Sequence, residues 1–348
     1  MTETLPVTAV AERFAGLIAE RPSLRVRDAA DALGVPEAAI VAGLAGARRL
    51  RPDWRALLEA VAGAGEVMAL TRNAHCVHEK HGTYPRPETH GRVGLVLGQE
   101  IDLRLFLDHW AHAWFVPEGN PGSPRGSIQV FDRAGVAVHK IFATPATPPG
   151  ALASIAERLA VADRTMPDFT DPEPPRPERA DAAIDRARLR SDWLALQDTH
   201  DFVRLLRRHK AGRAQAFRLA GEDLARRIDV LAPVAALRGA AAETLPIMVF
   251  VPNPGCIQIH SGPVQRVEQR GPWFNVLDSR FNLHLRTDRL AHAWLVRKPT
   301  ADGVVTSIEA FDAADRLVLM LFGSRKPGMP ESEAWRALAA RVAEGAPC

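Results

Sequence analysis

Apolar residues first recur at helical spacing over residues 8–20, where Val10, Phe14, Leu17 and Ile18 share a face. Leu24–Leu33 reads as a short helix stopped by Gly34, and Pro36 opens a second helix, Glu37–Leu44. This is the outline of a helix-turn-helix. The second helix, however, is Ala-rich and nearly uncharged, and it offers no side chain suited to base edges. Packing helices are the expectation, and DNA is not an expected partner. Trp54–Leu70 is helical in its first half. From Asn73 the period changes to two, with strands expected at Val93–Leu97, Ile101–Phe106, Ala113–Val116, Ser127–Phe131 and Ala137–Phe142. Stretches such as Pro117-Glu118-Gly119-Asn120-Pro121-Gly122 supply the turns. Residues 148–164 return to a helix, and a Pro/Asp/Glu-rich stretch around Asp171-Pro172-Glu173-Pro174-Pro175 reads as an extended, solvated linker. Helices then fill about 182–245, strands run from Ile247 to Phe322, and a helix covers Ser332–Val342.

The second half replays the first. Shifted by 180, residues 73–143 lie on 253–323 without a gap, with about a third of the positions identical. Asn73 meets Asn253, Cys76 meets Cys256, and Ala111-His112-Ala113-Trp114 meets Ala291-His292-Ala293-Trp294. Duplicated sheets explain this. The helical parts repeat more loosely, with Arg27-Asp28-Ala29-Ala30 resembling Arg213-Ala214-Gln215-Ala216. The expected fold class is α+β: two tandem structural repeats, each a large antiparallel β-sheet flanked by α-helices. The expected division is an N-terminal repeat at 1–166, a linker at 167–181 and a C-terminal repeat at 182–348.

Positions shared by both copies belong to the fold, so chemistry is sought where they differ. His112 and His292 read as structural histidines, and Cys76 and Cys256 as buried strand residues. His200 has no counterpart; on the loose helical alignment its place falls near Phe14. Arg104 faces His284 and Phe106 faces Arg286. On the alternating strand Ile101–Phe106, Asp102, Arg104 and Phe106 share one face, where Arg104 could simply pair with Asp108. His75-Cys76-Val77-His78-Glu79-Lys80-His81 has the crowding of a metal site. Strand alternation sends His75 and His81 to one side and Cys76 and His78 to the other, so zinc is not expected. His200 is followed by Arg204, Arg207, Arg208, Lys210 and Arg213. Such a run is ordinarily a solvated face, but it also suits a flat apolar ligand bearing carboxylates. His209 is the obvious substitute for His200 as a metal ligand.

Composition narrows the setting. Among 348 residues, 47% are apolar and 24% charged, which is ordinary for a soluble protein of two domains. No run of about 18 apolar residues suggests a membrane span. Met1–Pro6 lacks the features of a secretory signal. Three cysteines give no disulfide framework, so a cytoplasmic location is expected. A formal net charge of +3 says little about nucleic acid.

The chain resembles the bacterial cytoplasmic haem-utilisation proteins of the hemin-degrading-factor type, the HemS/HmuS/ChuS/PhuS family. The resemblance rests on Arg72-Asn73 with Val77–Gly82, on Ile101–Phe106, on Asp198-Thr199-His200 through His209-Lys210 to Arg213, and on Asn253–Val264. It implies haem b, one per chain, in a cleft on the C-terminal repeat reached by a strand end of the N-terminal one. His200 matches the axial ligand to iron, Arg104 the distal arginine and hence the catalytic candidate, and Phe106 an aromatic wall. Arg213, Lys298 and Arg325 match basic positions around the propionates. The family pattern has Tyr or Gln just before the Phe-Gly of the last strand, and Leu319-Met320-Leu321 departs from it. The resemblance leaves two functions open: oxidative haem degradation with external electrons and O2, or a haem carrier serving a separate haem oxygenase. A haem ABC importer, an electron-donating reductase or a haem oxygenase are the implied protein partners.

Overall fold

The computed structural model describes residues 6–163, 165–174, 177–325 and 328–345. It is α+β, with eighteen strands in two nine-stranded antiparallel sheets among the described residues. The chain forms two compact units. Unit 1 is Met1–Arg72, Glu79–Pro174 and Asn253–Gln258; unit 2 is Asn73–His78, Pro175–Pro252 and Ile259–Cys348.

Unit 1 begins with α1 (Val7–Glu20), α2 (Val26–Leu33), α3 (Glu37–Ala42), β1 (Arg48–Leu50) and α4 (Trp54–Ala62). Then come β2 (Glu66–Arg72), β3 (Cys76–Thr83), β4 (Glu88–His90), β5 (Val93–Leu97), β6 (Asp102–Phe106), β7 (His112–Val116), β8 (Ser127–Phe131), β9 (Ala137–Ala143) and α5 (Ala151–Leu159). Its strands form an antiparallel run β1-β7-β8-β9-β2 and a second run β4-β5-β6. Gly34, at φ +66°, closes α2, its N–H bonding the Ala30 and Asp31 carbonyls. The helix after it, α3, is buried from Glu37 to Val41, so it is not placed to read a DNA groove. The alternation expected of β6 is present: Ile101, Leu103 and Leu105 are buried, while Asp102, Arg104 and Phe106 are only partly covered.

Unit 2 repeats the plan with α6 (Arg186–Leu194), α7 (Asp201–His209), α8 (Arg213–Ala220), β10 (Ala225–Ile228) and α9 (Ala232–Ala242). There follow β11 (Ile247–Asn253), β12 (Cys256–Gly262), β13 (Val267–Arg270), β14 (Trp273–Leu277), β15 (Phe281–Arg286), β16 (His292–Thr300), β17 (Gly303–Phe311), β18 (Leu317–Gly323) and α10 (Glu333–Ala343). The runs are β10-β16-β17-β18-β11 and β13-β14-β15. Strand β10, in a stretch expected to be helical, pairs its Arg-rich backbone with β16. The helical repeat also has a different register from the one read in sequence. Turns at Gly34 and at Lys210, which is also left-handed (φ 51°), make α2–α3 the counterpart of α7–α8. The N-terminal flank of α7, His200, therefore corresponds to Arg25 rather than to Phe14, and Arg213 corresponds to Glu37.

Strands β3 and β12 each start in one unit and end in the other, and the tips before them do the same job in each. Asn73 accepts from the His75 and Cys76 N–H groups (3.0 and 2.9 Å) and donates to the carbonyls of Pro252 and Val318, all in unit 2. Asn253 accepts from Gly255 and Cys256 (3.0 and 2.8 Å) and donates to Arg72 and Val138, all in unit 1. A side-chain amide thus closes an Asx-type turn and satisfies buried backbone at once. Gly255 is needed there, because a Cβ would lie 2.6 Å from Val138 Cγ1 and 3.2 Å from Trp110 Cδ1. In unit 2 the matching His75 is paired with Asp312 at 3.3 Å.

The two cysteines are buried, as expected, but in unlike surroundings. Cys76 lies in the aliphatic core of unit 2 with Val251, Val264 and Leu319. In unit 1 the equivalent positions are Thr71, Tyr84 and His139, which form a buried polar chain. Thr71 Oγ1 lies 2.8 Å from His139 Nδ1 and 3.3 Å from Cys256 Sγ, and the Tyr84 hydroxyl lies 2.6 Å from His139 Nε2. Burial lowers the imidazole of His139 to about 3 and pushes the Cys256 thiol up to about 12.

Because the folded pKa of His139 (about 3) lies below the ordinary 6.5, the unfolded chain takes up the proton first. Stability from this residue is present above pH 6.5 and is lost progressively toward pH 3, with a limiting slope of about 1.4 kcal/mol per pH unit. Urea unfolding of His139→Leu, which copies Leu319, should lose this component of the acid sensitivity between pH 6 and 5 (the range is set by the ordinary histidine value of about 6.5). A variant as acid-sensitive as the wild type over that range would show that His139 is not held neutral.

Candidate ligand site

Unit 2 presents a sheet face that its helices cover only in part. Alternation sends Ile247, Val249, Leu319 and Leu321 into the core and turns Met248, Phe250, Met320 and Phe322 to the other face. In register with these, β17 presents Val305, Ser307 and Glu309, and β16 presents Val296 and Lys298. Helices α6–α8 cover Trp294, Val296 and Phe311 with an aromatic cluster of Trp193, Phe202 and Phe217. Met320, Phe322 and Val305 form a smaller apolar cluster beside it, flanked by Met248 and Phe250. The result is an apolar floor bounded by polar groups.

The centre of that boundary is Glu309, which is fully buried. Arg213, the first residue of α8, grips it with two parallel bonds: Nε to Oε2 at 2.6 Å and Nη2 to Oε1 at 3.0 Å. Lys298 Nζ approaches from β16 at 2.7 Å from Oε1. Burial pushes the Glu309 carboxyl up; Arg213 and then Lys298 outweigh that and hold it at about 2. Burial also draws the Lys298 ammonium down to about 8, against the pull of Glu309. Both cations pack on Phe202, with Lys298 4.8 Å and Arg213 5.2 Å from the ring centre. Arg213 Nη2 also reaches the Met320 sulfur at 3.3 Å.

His200 is built differently. It precedes α7, and its side chain is 80% exposed. Asp198 Oδ1 accepts from the His200 backbone N–H (2.8 Å) and lies 2.6 Å from Nδ1. The His200 backbone N–H, and then its imidazole, hold the Asp198 carboxyl below its ordinary value. An ionised carboxylate only accepts, so Nδ1 carries the proton, and in a neutral imidazole Nε2 would be the acceptor. This is how a metal-binding histidine is oriented by a carboxylate behind it. Arg325 is near enough to Asp198 for its charge to add to that lowering, and it pairs with Asp302 at 4.0 Å. His209, in contrast, is tied to Asp192 at 2.8 Å at the opposite end of α7, with its side chain 6% exposed. Nine residues of helix span about 13 Å, so His209 does not share a position with His200.

Of the expected site residues, unit 2 therefore brings together Arg213 and Lys298 on Glu309, and His200 and Arg325 around Asp198. Arg104 and Phe106 belong to unit 1. Arg104 is ion-paired with Asp102, and Asp108 pairs instead with Arg92. His75–His81 yields no metal cluster among the described residues. Asp198 and Phe202 stood in the stretch singled out by sequence but were given no role, and Glu309 and the Met248/Phe250/Phe322 floor were not singled out. Glu309 could have been, since Gln129 stands at its place in the first copy. The departure at Leu319-Met320-Leu321 reduces to Met320, because both leucines point into the core.

Unit 2 thus carries an exposed histidine held by a carboxylate and, on its sheet, an apolar face with paired cations at its border. Comparison with known proteins gives the family. The model of the haemin-degrading HemS.ChuX domain matches residues 34–159 and again 210–342. The hemin transport protein HmuS of Yersinia pestis is 39% identical over 330 residues, covering 93% of this chain and 94% of that protein. Holo-PhuS, a heme-binding protein from Pseudomonas aeruginosa, superposes with a TM-score of 0.91 at 48% identity, covering 96% of this chain and 98% of that one. The heme degrading enzyme ChuS of Escherichia coli O157:H7 gives 0.89 at 34% identity, covering 96% and 98%. The chain belongs to the HemS family, with the family domain present twice.

The two halves of the site differ in what they do for stability. Lys298→Met leaves buried Glu309 with one cation fewer and should destabilise the protein by about 3 kcal/mol in urea unfolding. His200→Ala should change stability by less than about 0.5 kcal/mol, because the side chain is 80% exposed and its one contact, with Asp198, is at the surface. A large stability loss for His200→Ala would mean the histidine is structural.

Proposed function

We propose that this protein binds one haem b per chain in unit 2, with His200 Nε2 on the iron, and handles haem for iron utilisation. The observation that carries this is an exposed His200 whose Nδ1 is held by Asp198, in the unit whose sheet bears the apolar Met248/Phe250/Met320/Phe322 face. A neutral imidazole is a good axial ligand to haem iron, and the apolar floor suits a porphyrin ring. The border cations suit the propionates. Arg213 and Arg325 keep some exposed side chain (20% and 17%), whereas Lys298 is only 2% exposed. Lys298 then acts through its charge rather than by direct contact. The likeness to HmuS, PhuS and ChuS, whose names give hemin transport, heme binding and heme degradation, supports the same reading.

Arg104 and Phe106 would keep the roles that the family resemblance implies, with Arg104 as a permanent hydrogen-bond donor toward a bound haem. Bound haem would supply redox and O2 chemistry; the protein residues hold and orient it. The carrier reading is favoured by the likeness to HmuS, a hemin transport protein. Degradation is the second reading, favoured by the likeness to ChuS.

His200→Ala in the full chain should shift the Soret band and speed haem loss at least tenfold, the loss of about 1.4 kcal/mol of binding. Asp198→Ala should give a smaller change in the same direction. A wild-type spectrum and off-rate in His200→Ala would sink the axial assignment. Carrier and enzyme separate when the haem complex is reduced anaerobically and then given O2 with catalase present. Ring-opened product under catalase supports degradation, whereas bleaching only without catalase supports the carrier.

A further inference from the structure

At the floor of unit 2, the three cations expected to meet a ligand, Arg213, Lys298 and Arg325, each already have a carboxylate. Arg213 and Lys298 share Glu309, and Arg325 pairs with Asp302. A second buried carboxylate, Glu331, accepts from the Thr306 N–H at 3.0 and 2.9 Å and lies close enough to Lys298 to act on its charge. Glu331 is in turn paired with Arg336 at 3.9 Å, so each of these border cations already faces a protein carboxylate. Any ligand carboxylate must compete with a protein carboxylate that is already in place.

Glu309 is the one that matters most, because it engages two of the cations. The fold does not require an acid there. In unit 1 the same strand position holds Gln129, which donates to Ser127 Oγ at 3.0 Å, as Ser307 Oγ contacts Glu309 at 2.9 Å. Unit 1 instead carries its buried acid on the helix, where Glu37 at the start of α3 pairs with Lys140 and Arg72 from the sheet. The ion pair across helix and sheet is therefore kept with its signs exchanged, and only the unit bearing His200 sets an arginine against the floor. Arg213 holds Glu309 through Nε and Nη2, and among the described residues its Nη1 has no hydrogen-bond partner.

We propose that Glu309 is the internal counter-ion of the pocket, a positioning residue that holds Arg213 and Lys298 against capture by a ligand carboxylate and so keeps the bound ligand quick to leave. The inference rests on the haem-binding reading above and names what tunes release at that site: competition between Glu309 and a porphyrin propionate for Arg213. A site built this way favours transfer over retention.

The test uses the full chain loaded with haem and measures transfer to excess apomyoglobin by stopped flow. Glu309→Gln keeps the shape and removes the charge. It should slow transfer about fivefold, as expected for one additional partly exposed ion pair, with the Soret band unchanged. Glu309→Asp, which keeps the charge, should transfer within about twofold of wild type on the same scale. With haem dimethyl ester, which has no propionate charge, Glu309→Gln and wild type should transfer at the same rate. Transfer that is unchanged or faster in a folded Glu309→Gln overturns the proposal. So does an equal slowing with the diester, which would place the effect in the fold. If Glu309→Gln does not fold, Glu309→Gln/Lys298→Met removes the buried pair together, releases Arg213, and should show the same propionate-dependent slowing; its absence is equally decisive. Failure of the haem reading looks different, because it appears as an unaltered spectrum in His200→Ala whatever Glu309 does.

Discussion

A carboxylate on the face of a sheet, with no exposed surface, cannot remain ionised unless cations are brought to it. Glu309 brings two. Satisfying it fixes the start of α8, since Arg213 is the first helical residue, and fixes the outer end of β16 through Lys298. Both cations then sit on the ring of Phe202, which sets the depth at which α7 packs. Helix α7 in turn carries His200 at its entrance, so the imidazole is placed by a chain of contacts that begins at Glu309. The histidine itself contributes almost nothing to that chain, which leaves it free to serve a ligand.

The duplication shows which features the architecture needs and which were added. Both units require an asparagine tip that closes on itself and satisfies backbone carbonyls, and both have it, at Asn73 and Asn253. Both require a helix-to-sheet ion pair, and each has one, with opposite signs. Neither requirement explains His200 on Asp198, or the exchange of Lys140 and Gln129 for Met320 and Glu309. Those differences make one sheet face an apolar floor and leave the other with a lysine upon it. Unit 1 spends its distinctive polar residues inside its core instead, in the Thr71–His139–Tyr84 chain.

Much of this was legible in sequence because strands repeat with little distortion. A shift of 180 aligned β9 with β18 and the histidines of β7 and β16 residue for residue. The alternation of β6 gave its two faces correctly. The helices were harder. A left-handed turn made by Gly34 in one copy is made by Lys210 in the other, and Glu37 has become Arg213, so matching by identity slid the alignment by several residues. The six-residue exchange between units could not be read at all. A tip of the form Asn-x-x-Cys closes the same Asx turn whichever unit receives it, and only the size of Gly255 against Trp110 hints at its destination. His209 misled for a related reason: spacing along a helix was counted, but the Asp192 that holds it lies on another helix.

The separation of stability from chemistry bears on how such a site can change. Residues that hold the wall are buried, paired and mutually dependent, so a single substitution there exposes an uncompensated charge and is costly. Of the residues that would meet a ligand, His200 lies where substitution costs the fold little, whereas Arg213 is tied to buried Glu309. Ligand affinity can therefore be adjusted at the rim without rebuilding the core. The release rate is harder to change, because on this structure it is tied to Glu309, the group that also positions the helices. A change in how firmly the ligand is kept would have to come through the buried ion pair, with the compensation seen in unit 1, where the acid moved to the helix and the cations to the sheet together.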